Sequence, residues 1–554
     1  MNKSNLIIKY LKPLLFLIVL NILLLFSKNT TAQSISMDQL PIEDALRRLQ
    51  LMGKIESTLS FNARPLQAPT IHSWDSALRS LDTAFYSKGI KKLDKHFFGK
   101  WGYISLLPVQ LQQQYVTAQP YSELDGPMIT SSGYQLMASV GFYAKLGPLS
   151  IQIQPQYVSA TNNDYLGVAQ TANFKKTFWG NSSVRLNAGP VSLGISSENI
   201  TWGPSLMNPL LMSSHAPGFM HATFNSRRPW STPIGSFEWQ LIGGYLDTLG
   251  QEYNQLAAFP GAALPGKRYF NGAMISYQPK GVKGLSLGVM RTVQENESEL
   301  IKYGQYILLF NNVARINDQS YEQEQSRDQY ASLFIRWLWQ PSKVEIYTEW
   351  GRNDTYYTMR DFIQQPEHSR AYTYGLRKII GNEVDALSKN INAKTPSKYW
   401  QIITEYTRIQ QPPSWPVRSA FSWYEHSRVL QGYTQAGEYL GAPIGIGGNY
   451  GMIRVSKFEG WKQYALQLES TTQHADEFED TDLAYTNPSL HKWIDYGFRI
   501  LVDYPFKNFL ISGTIAMKRS FNYNFVQSAD ASGLGISNPN DQDSYLFKLA
   551  IRYR

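Results

Sequence analysis

The sequence predicts an all-β transmembrane barrel of about 18 antiparallel strands, with a small N-terminal α-helical element in front of it. Three observations carry that prediction. A secretory leader precedes a chain with no further apolar run of helix length. Long stretches after it alternate apolar and polar residues with period two. The connections between those stretches alternate between short and long. The chain has 554 residues, 14% of them aromatic with Tyr most abundant, and no cysteine. A barrel strand shows lipid only at every second residue, so it crosses a bilayer without a long apolar run.

The leader comes first. Lys3, Lys9 and Lys12 precede an apolar run over residues 14–26, broken once by Asn21, and Thr30, Thr31 and Ala32 follow it. A charged segment, an apolar segment and a small-residue site in that order predict a signal peptide, residues 1–32, cut after Ala32. Without cysteine the chain can form no disulfide, thiolate metal site, Cys nucleophile or lipid anchor on cysteine. The net charge of +9 falls to +5 once the four lysines of residues 1–32 are set aside. That surplus is too small to argue for nucleic acid and suits an acidic glycan or lipid headgroups.

Residues 33–100 read as helical. Leu40, Ala45, Leu46, Leu49 and Met52 form one apolar face; Trp74, Ala77, Leu78, Leu81 and Phe85 form a second, with Ser73 to cap it and Gly89 to end it. Two short amphipathic helices cannot bury their faces alone, so they are expected as a periplasmic cap against the barrel mouth.

The barrel occupies residues 101–554. In residues 493–504, Ile494, Tyr496, Phe498, Ile500, Val502 and Tyr504 share one face, while Asp495, Arg499 and Asp503 share the other. The last strand repeats the pattern, with Tyr545, Phe547, Leu549, Ile551 and Tyr553 outward and Lys548 inward. Arg336, Glu345, Glu349, Glu405 and Glu469 are also predicted inward. Both signs occur there, so the lumen is expected to cross-link itself and to be closed largely by side chains and inserted loops. A solvated channel with tuned selectivity is the alternative. Connections at 146–148, 189–190, 279–284, 340–342, 459–460 and 505–507 are short. Those at 161–179, 199–220, 247–267, 295–327, 353–369, 410–447, 473–491 and 520–542 are long. Short inside and long outside is the asymmetry of an outer-membrane barrel. Residues 381–396 break it on the inner side and receive no role.

Residues 198–230 read as a single ordered loop, neither strand nor helix. Pro204, Pro209, Pro217 and Pro229 interrupt any ladder, and Trp202, Phe219, Phe224 and Trp230 make the stretch too aromatic for an idle linker. Trp202, Asn208, His215, Arg227, Arg228 and Trp230 mix flat rings with hydrogen-bonding groups, which is the chemistry that holds a sugar. Trp423, Tyr424, Glu425, His426, Tyr433 and Glu438 repeat the mixture in a second long loop, with Trp415 and Arg418 nearby. The same rings equally suit the packing of the loops or a belt at the membrane interface. Ser213, Ser214 and His215 adjoin, as do His426 and Ser427, but a nucleophile and its base are recognised by converging geometry and seldom by adjacency. No GxSxG or HExxH motif occurs and the eight histidines are scattered. The reading is therefore of a protein that is not an enzyme and needs no metal or cofactor.

The segments TWGP at 201–204, YTEW at 347–350, PEHS at 366–369, WYEHS at 423–427 and GYTQAGEYLG at 432–441, with LRRLQLMG at 46–53, resemble the Wzi-type capsule assembly family. That resemblance implies an outer-membrane barrel that binds and retains capsular or other surface polysaccharide, a lectin whose further partners are outer-membrane lipid and the capsule export machinery. It implies no catalytic residue. A porin selective for oligosaccharides or small solutes is the second reading, and an outer-membrane hydrolase a distant third.

Overall fold

The computed structural model describes residues 40–66, 78, 81, 95–97, 102–163, 173–247, 267–298, 327–353, 359–381, 398–412, 422–476, 492–523 and 541–553. The expected leader, most of the second helix, Trp415, Arg418 and residues 382–396 lie outside them.

Alternation along the chain becomes a single large antiparallel sheet. Successive strands pair with their neighbours from Ser183–Ala188 through to Phe509–Phe521, and the last strand, Gln542–Tyr553, pairs with Val109–Val116 near the start. Strand Arg327–Trp339 shows the logic of the pleat. Leu333 is 54% exposed, with Ile335, Trp337 and Trp339 on the same side, whereas Asp328, Ser332 and Arg336 are buried on the other, Arg336 to 1%. A soluble sandwich would reverse this and hide its apolar face. The exposed face also sorts by height. Trp339, Trp400, Tyr504 and Phe506 ring the short-turn end, Tyr374, Tyr406, Tyr496 and Tyr545 ring the other, and Leu333, Ile453, Leu466, Ile500 and Leu549 fill the band between. Aromatic belts flanking an aliphatic band match a bilayer with its two interfaces. No helix among the described residues is long and apolar enough to cross a membrane.

Four early segments are kinked: Gly102–Leu106 with Val109–Val116, Gly133–Ser139 with Phe142–Leu146, Leu149–Ile153 with Gln156–Ala160, and Phe174–Phe178 with Ser183–Ala188. Pro108 and Pro155 bring no N–H to the breaks, and Gly141 has no side chain where a Cβ would sit 2.2 Å from the Ile153 carbonyl. The breaks lie side by side, since Leu107 donates to the Gly141 carbonyl at 2.9 Å and Gln154 bridges Gly180.

The inner side of the sheet is covered from both ends. At the short-turn end, helix Leu40–Leu51 buries Ala45, Leu46 and Leu49 with Phe61 and Trp461, and Leu51 against the inner-face residues Leu338, Ile379, Tyr399 and Phe458. At the other end, residues 198–220 and 422–447 fold inward, so that Trp202, Leu210, Trp423, Tyr424 and Tyr433 pack on Phe270, Met290, Tyr330 and Phe334. The two fillings meet where Ala63–Arg64 pairs with Thr201–Trp202.

The structure corrects the reading of residues 198–230 as one loop. His221–Ser226 is a strand with alternating burial, paired on both sides. Its six-residue alternation was hidden by the prolines around it.

Candidate functional site

The inward loops are held by buried carboxylates. Glu405 accepts the backbone N–H groups of Leu206 at 2.8 Å, Met207 at 2.9 Å and Asn208 at 3.0 Å, together with the hydroxyls of Ser205 at 3.0 Å and Tyr347 at 2.5 Å. Prolines on either side leave this turn unable to form a ladder of its own, so the carboxylate supplies the acceptors that a strand would have supplied. Lower down, Glu345 takes Arg336 at 3.0 Å and Arg47 of the N-terminal helix at 2.7 Å. Inner-face ion pairs thus join strand carboxylates to plug residues, and also strand to strand, as in Arg499 with Glu469 at 2.8 Å.

Between this plug and one side of the sheet lies an elongated cavity of about 570 Å³. It runs from His474, Trp493 and Tyr523 at the long-loop end to Asp503 and Arg552 at the short-turn end. Residues 117–132 cross beside it as a strap. Glu123 in the strap binds Arg499 and, at 3.6 Å, Lys548; Asp125 binds Lys548 at 2.9 Å. Burial alone would raise both carboxyls. For Glu123 the cations win and hold it at about 2, while for Asp125 burial wins and its pKa lies above the ordinary value.

Three loops converge on one histidine. His215 Nδ1 lies 2.8 Å from the Glu123 carbonyl and Nε2 3.1 Å from Glu438, which also accepts from the Thr130 backbone N–H at 2.7 Å and hydroxyl at 2.9 Å. Both ring nitrogens face acceptors, so the ring suits the imidazolium form. Burial opposes that charge, but the hydrogen bond and charge of Glu438, the Glu123 carbonyl and the charge of Asp125 together outweigh it and raise the His215 pKa. Neither nitrogen is left for a serine, and Ser213 Oγ donates to the Gly441 carbonyl at 2.6 Å. The adjacent Ser213 and His215 therefore do not form a nucleophile and base here.

Of the sequence-predicted residues, Asn208 and Glu438 line the cavity, and His215 stands behind Glu438. Trp202 is 0% exposed, with Nε1 donating to Gln240 at 2.8 Å and its ring where a Cβ on Gly272 would fall. Trp423, also 0% exposed, donates from Nε1 to the Ser369 carbonyl at 3.0 Å. Tyr424 donates to the Leu210 carbonyl at 2.7 Å and stacks on Tyr433, whose hydroxyl reaches Thr292 at 2.8 Å. These four rings offer no open face in this conformation; they are the core of the plug. His426 Nδ1 accepts from the backbone N–H groups of Arg428 and Val429, and Glu425 is half-buried beside it.

Arg227, Arg228 and Trp230 do not join the others. Strand His221–Ser226 carries them to the opposite end of the sheet, where Arg227 donates to the Gly189 carbonyl at 3.1 Å and Trp230 lies edge-on to Trp239 at 5.7 Å. With 52% exposure on the outer face, Trp230 belongs to the short-turn belt. The strap was missed by the sequence reading. Its signal is an acidic pair, Glu123 and Asp125, between Pro120 and Pro127, opposite strands with inward Arg499 and Lys548.

A family model described as capsule assembly protein Wzi matches residues 111–532. No curated protein sequence matches the chain. Among solved structures, the chain is similar to Wzi of Escherichia coli, described as an outer membrane protein involved in group 1 capsule assembly and as a carbohydrate-binding β-barrel. The two are 13% identical, with 94% of this chain and 99% of that chain covered and a TM-score of 0.60. Weaker matches include OprD of Pseudomonas aeruginosa, 11% identical over 81% of this chain and 92% of that chain with a TM-score of 0.38. OccAB4 of Acinetobacter baumannii is 9% identical over 81% and 97%, also with a TM-score of 0.38.

Proposed function

The chain belongs to the Wzi capsule assembly family of outer-membrane β-barrels, and from that premise we propose that it is a lectin that retains capsular or other surface polysaccharide at the cell surface. Taking each kinked pair of strands as one crossing, and the pairing of Gln542–Tyr553 with Val109–Val116 as the seam, the proposal is of a closed barrel of 18 strands. Residues 1–32 would be its cleaved leader and residues 33–100 its periplasmic element, available to the capsule export machinery. Neither cofactor nor catalysis enters the proposal.

The observation that carries the reading is the cavity at the long-loop end, where Glu438, Asn208, Thr130 and Asn162 set carboxylate, amide and hydroxyl groups around a space of drug-like size. Sugars present hydroxyls on every side, and such groups answer them. Glu438 and Asn208 are assigned to contact the polymer, and His215 to hold Glu438 in place; Trp202, Trp423, Tyr424 and Tyr433 shape the plug beneath. Glu425 and His426 are assigned to the rim of the second loop.

The test is the partition of surface polysaccharide between cells and medium, in the parent strain and in a strain lacking this chain. The lectin reading expects unchanged total polymer with a shift into the medium. Pull-down of native capsule is expected to weaken with Asn208→Ala and to be unaffected by Trp230→Ala. Polymer that stays on the cell would favour the second reading, a solute-selective porin, for which the observation is that the cavity runs from one end of the sheet to the other.

A further inference from the structure

Basic side chains gather on the outer surface at the short-turn end. At the long-loop end, three arginines face carboxylates, Arg519 with Asp543 at 3.0 Å, Arg370 with Glu367 at 2.7 Å and Arg327 with Glu295 at 2.8 Å, beside exposed cations such as Lys267 and Lys492. At the short-turn end, Arg228, Lys280, Lys283, Lys457, Lys462 and Lys507 have no carboxylate partner among the described residues; the pair found there is Lys398 with Glu459, at 3.5 Å. These six cations come from four separate turns that strand pairing brings to one rim.

A solvated basic rim would point its ammonium groups into water, away from the aromatic belt. Here three of them sit over belt rings. Lys457 Nζ lies 5.8 Å from the Trp400 ring centre, Lys462 Nζ 5.4 Å from Tyr504, and Lys507 Nζ 5.4 Å from Phe506. Trp400, Tyr504 and Phe506 mark the depth at which hydrocarbon gives way to headgroups. Each ammonium is therefore held where lipid phosphates lie, on a stem long enough to reach one.

We propose that the short-turn rim is a docking surface for acidic phospholipid headgroups, with Lys457, Lys462 and Lys507 as its centre. The surface selects lipids that carry net negative charge from the leaflet at that end of the barrel. The proposal rests on the membrane-spanning reading of the sheet and is independent of polysaccharide binding.

The experiment reconstitutes the full-length protein in phosphatidylcholine bilayers and measures the fraction of motionally restricted spin-labelled lipid, comparing labelled phosphatidylglycerol with labelled phosphatidylcholine. The expected result is a preference for phosphatidylglycerol on the order of fivefold, weakened by salt. It should disappear in the triple variant Lys457→Gln, Lys462→Gln, Lys507→Gln and persist in the corresponding triple Lys→Arg variant. Equal association of the two lipids with the unmodified protein overturns the proposal, and that comparison stands whether or not the variants assemble. A preference that survives the Lys→Gln changes assigns it to another surface and also overturns it. Loss of the preference to inorganic phosphate at matched ionic strength would make the rim a general anion site, and a rim that instead binds acidic polysaccharide in place of lipid would equally remove the lipid assignment. Capsule retention by the Lys→Gln variant is expected to equal that of the parent, so failure here and failure of the lectin reading are separable.

Discussion

His215 shows how much a single residue can carry in a plugged barrel. Its two nitrogens tie the strap at Glu123 to the second loop at Glu438, and its own chain belongs to the first loop. Its pKa is raised above the ordinary 6.5 because Glu438, the Glu123 carbonyl and Asp125 together outweigh burial. A histidine with a raised folded pKa contributes stability that is complete below the ordinary value and is lost as pH climbs through the folded value. Hydrogen exchange of residues 213–216 and 123–130 is therefore expected to quicken as pH rises from the ordinary histidine value through the higher folded one, more steeply than elsewhere in the protein. His215→Gln should flatten that dependence. A steep rise that persists in the variant would remove His215 from the junction.

At the scale of elements, the loop 198–220 behaves as an inserted strand substitute whose donors all go to one carboxylate. Glu405→Ala would leave the N–H groups of residues 206–208 without their acceptor in a buried place. Each such group costs about 1–3 kcal/mol, so the turn is expected to leave the lumen, with the barrel itself still assembled. Protease cutting between residues 204 and 217, absent in the parent and present in the variant with the same heat-modifiable gel mobility, is the measurement. The strand His221–Ser226 illustrates the opposite case. Its alternation is present in the sequence, but six residues between prolines are too few for periodicity to separate a strand from an aromatic loop.

For the whole molecule, plug and wall are joined at many heights, from Arg47 with Glu345 to Thr130 with Glu438. A lumen braced this way predicts little conductance in a planar bilayer for the unmodified protein, and larger, longer openings once Glu405→Ala frees the first loop. Wide, stable openings in the parent would sink the plugged reading and favour the porin.

The sequence by itself determined the large antiparallel sheet, the face on which each strand residue lies and which connections are short and which long. The pleat assigns alternate residues to opposite sides without reference to anything distant, and a turn is short or long within its own few residues. Lys548 and Arg499 were thus legible as inward, and Leu549 and Ile500 as outward. Only the tertiary structure decided what those inward groups meet. Glu405 and Asn208 lie 197 positions apart, and Thr130 and Glu438 lie 308 apart. Such pairs depend on how loops fold back into the enclosed space, which no local pattern encodes. For the same reason the rings of Trp202 and Trp423 read as open platforms in the sequence and became the packed core of a plug. A buried polar or aromatic group is defined by its partners, and here they come from the far side of the barrel.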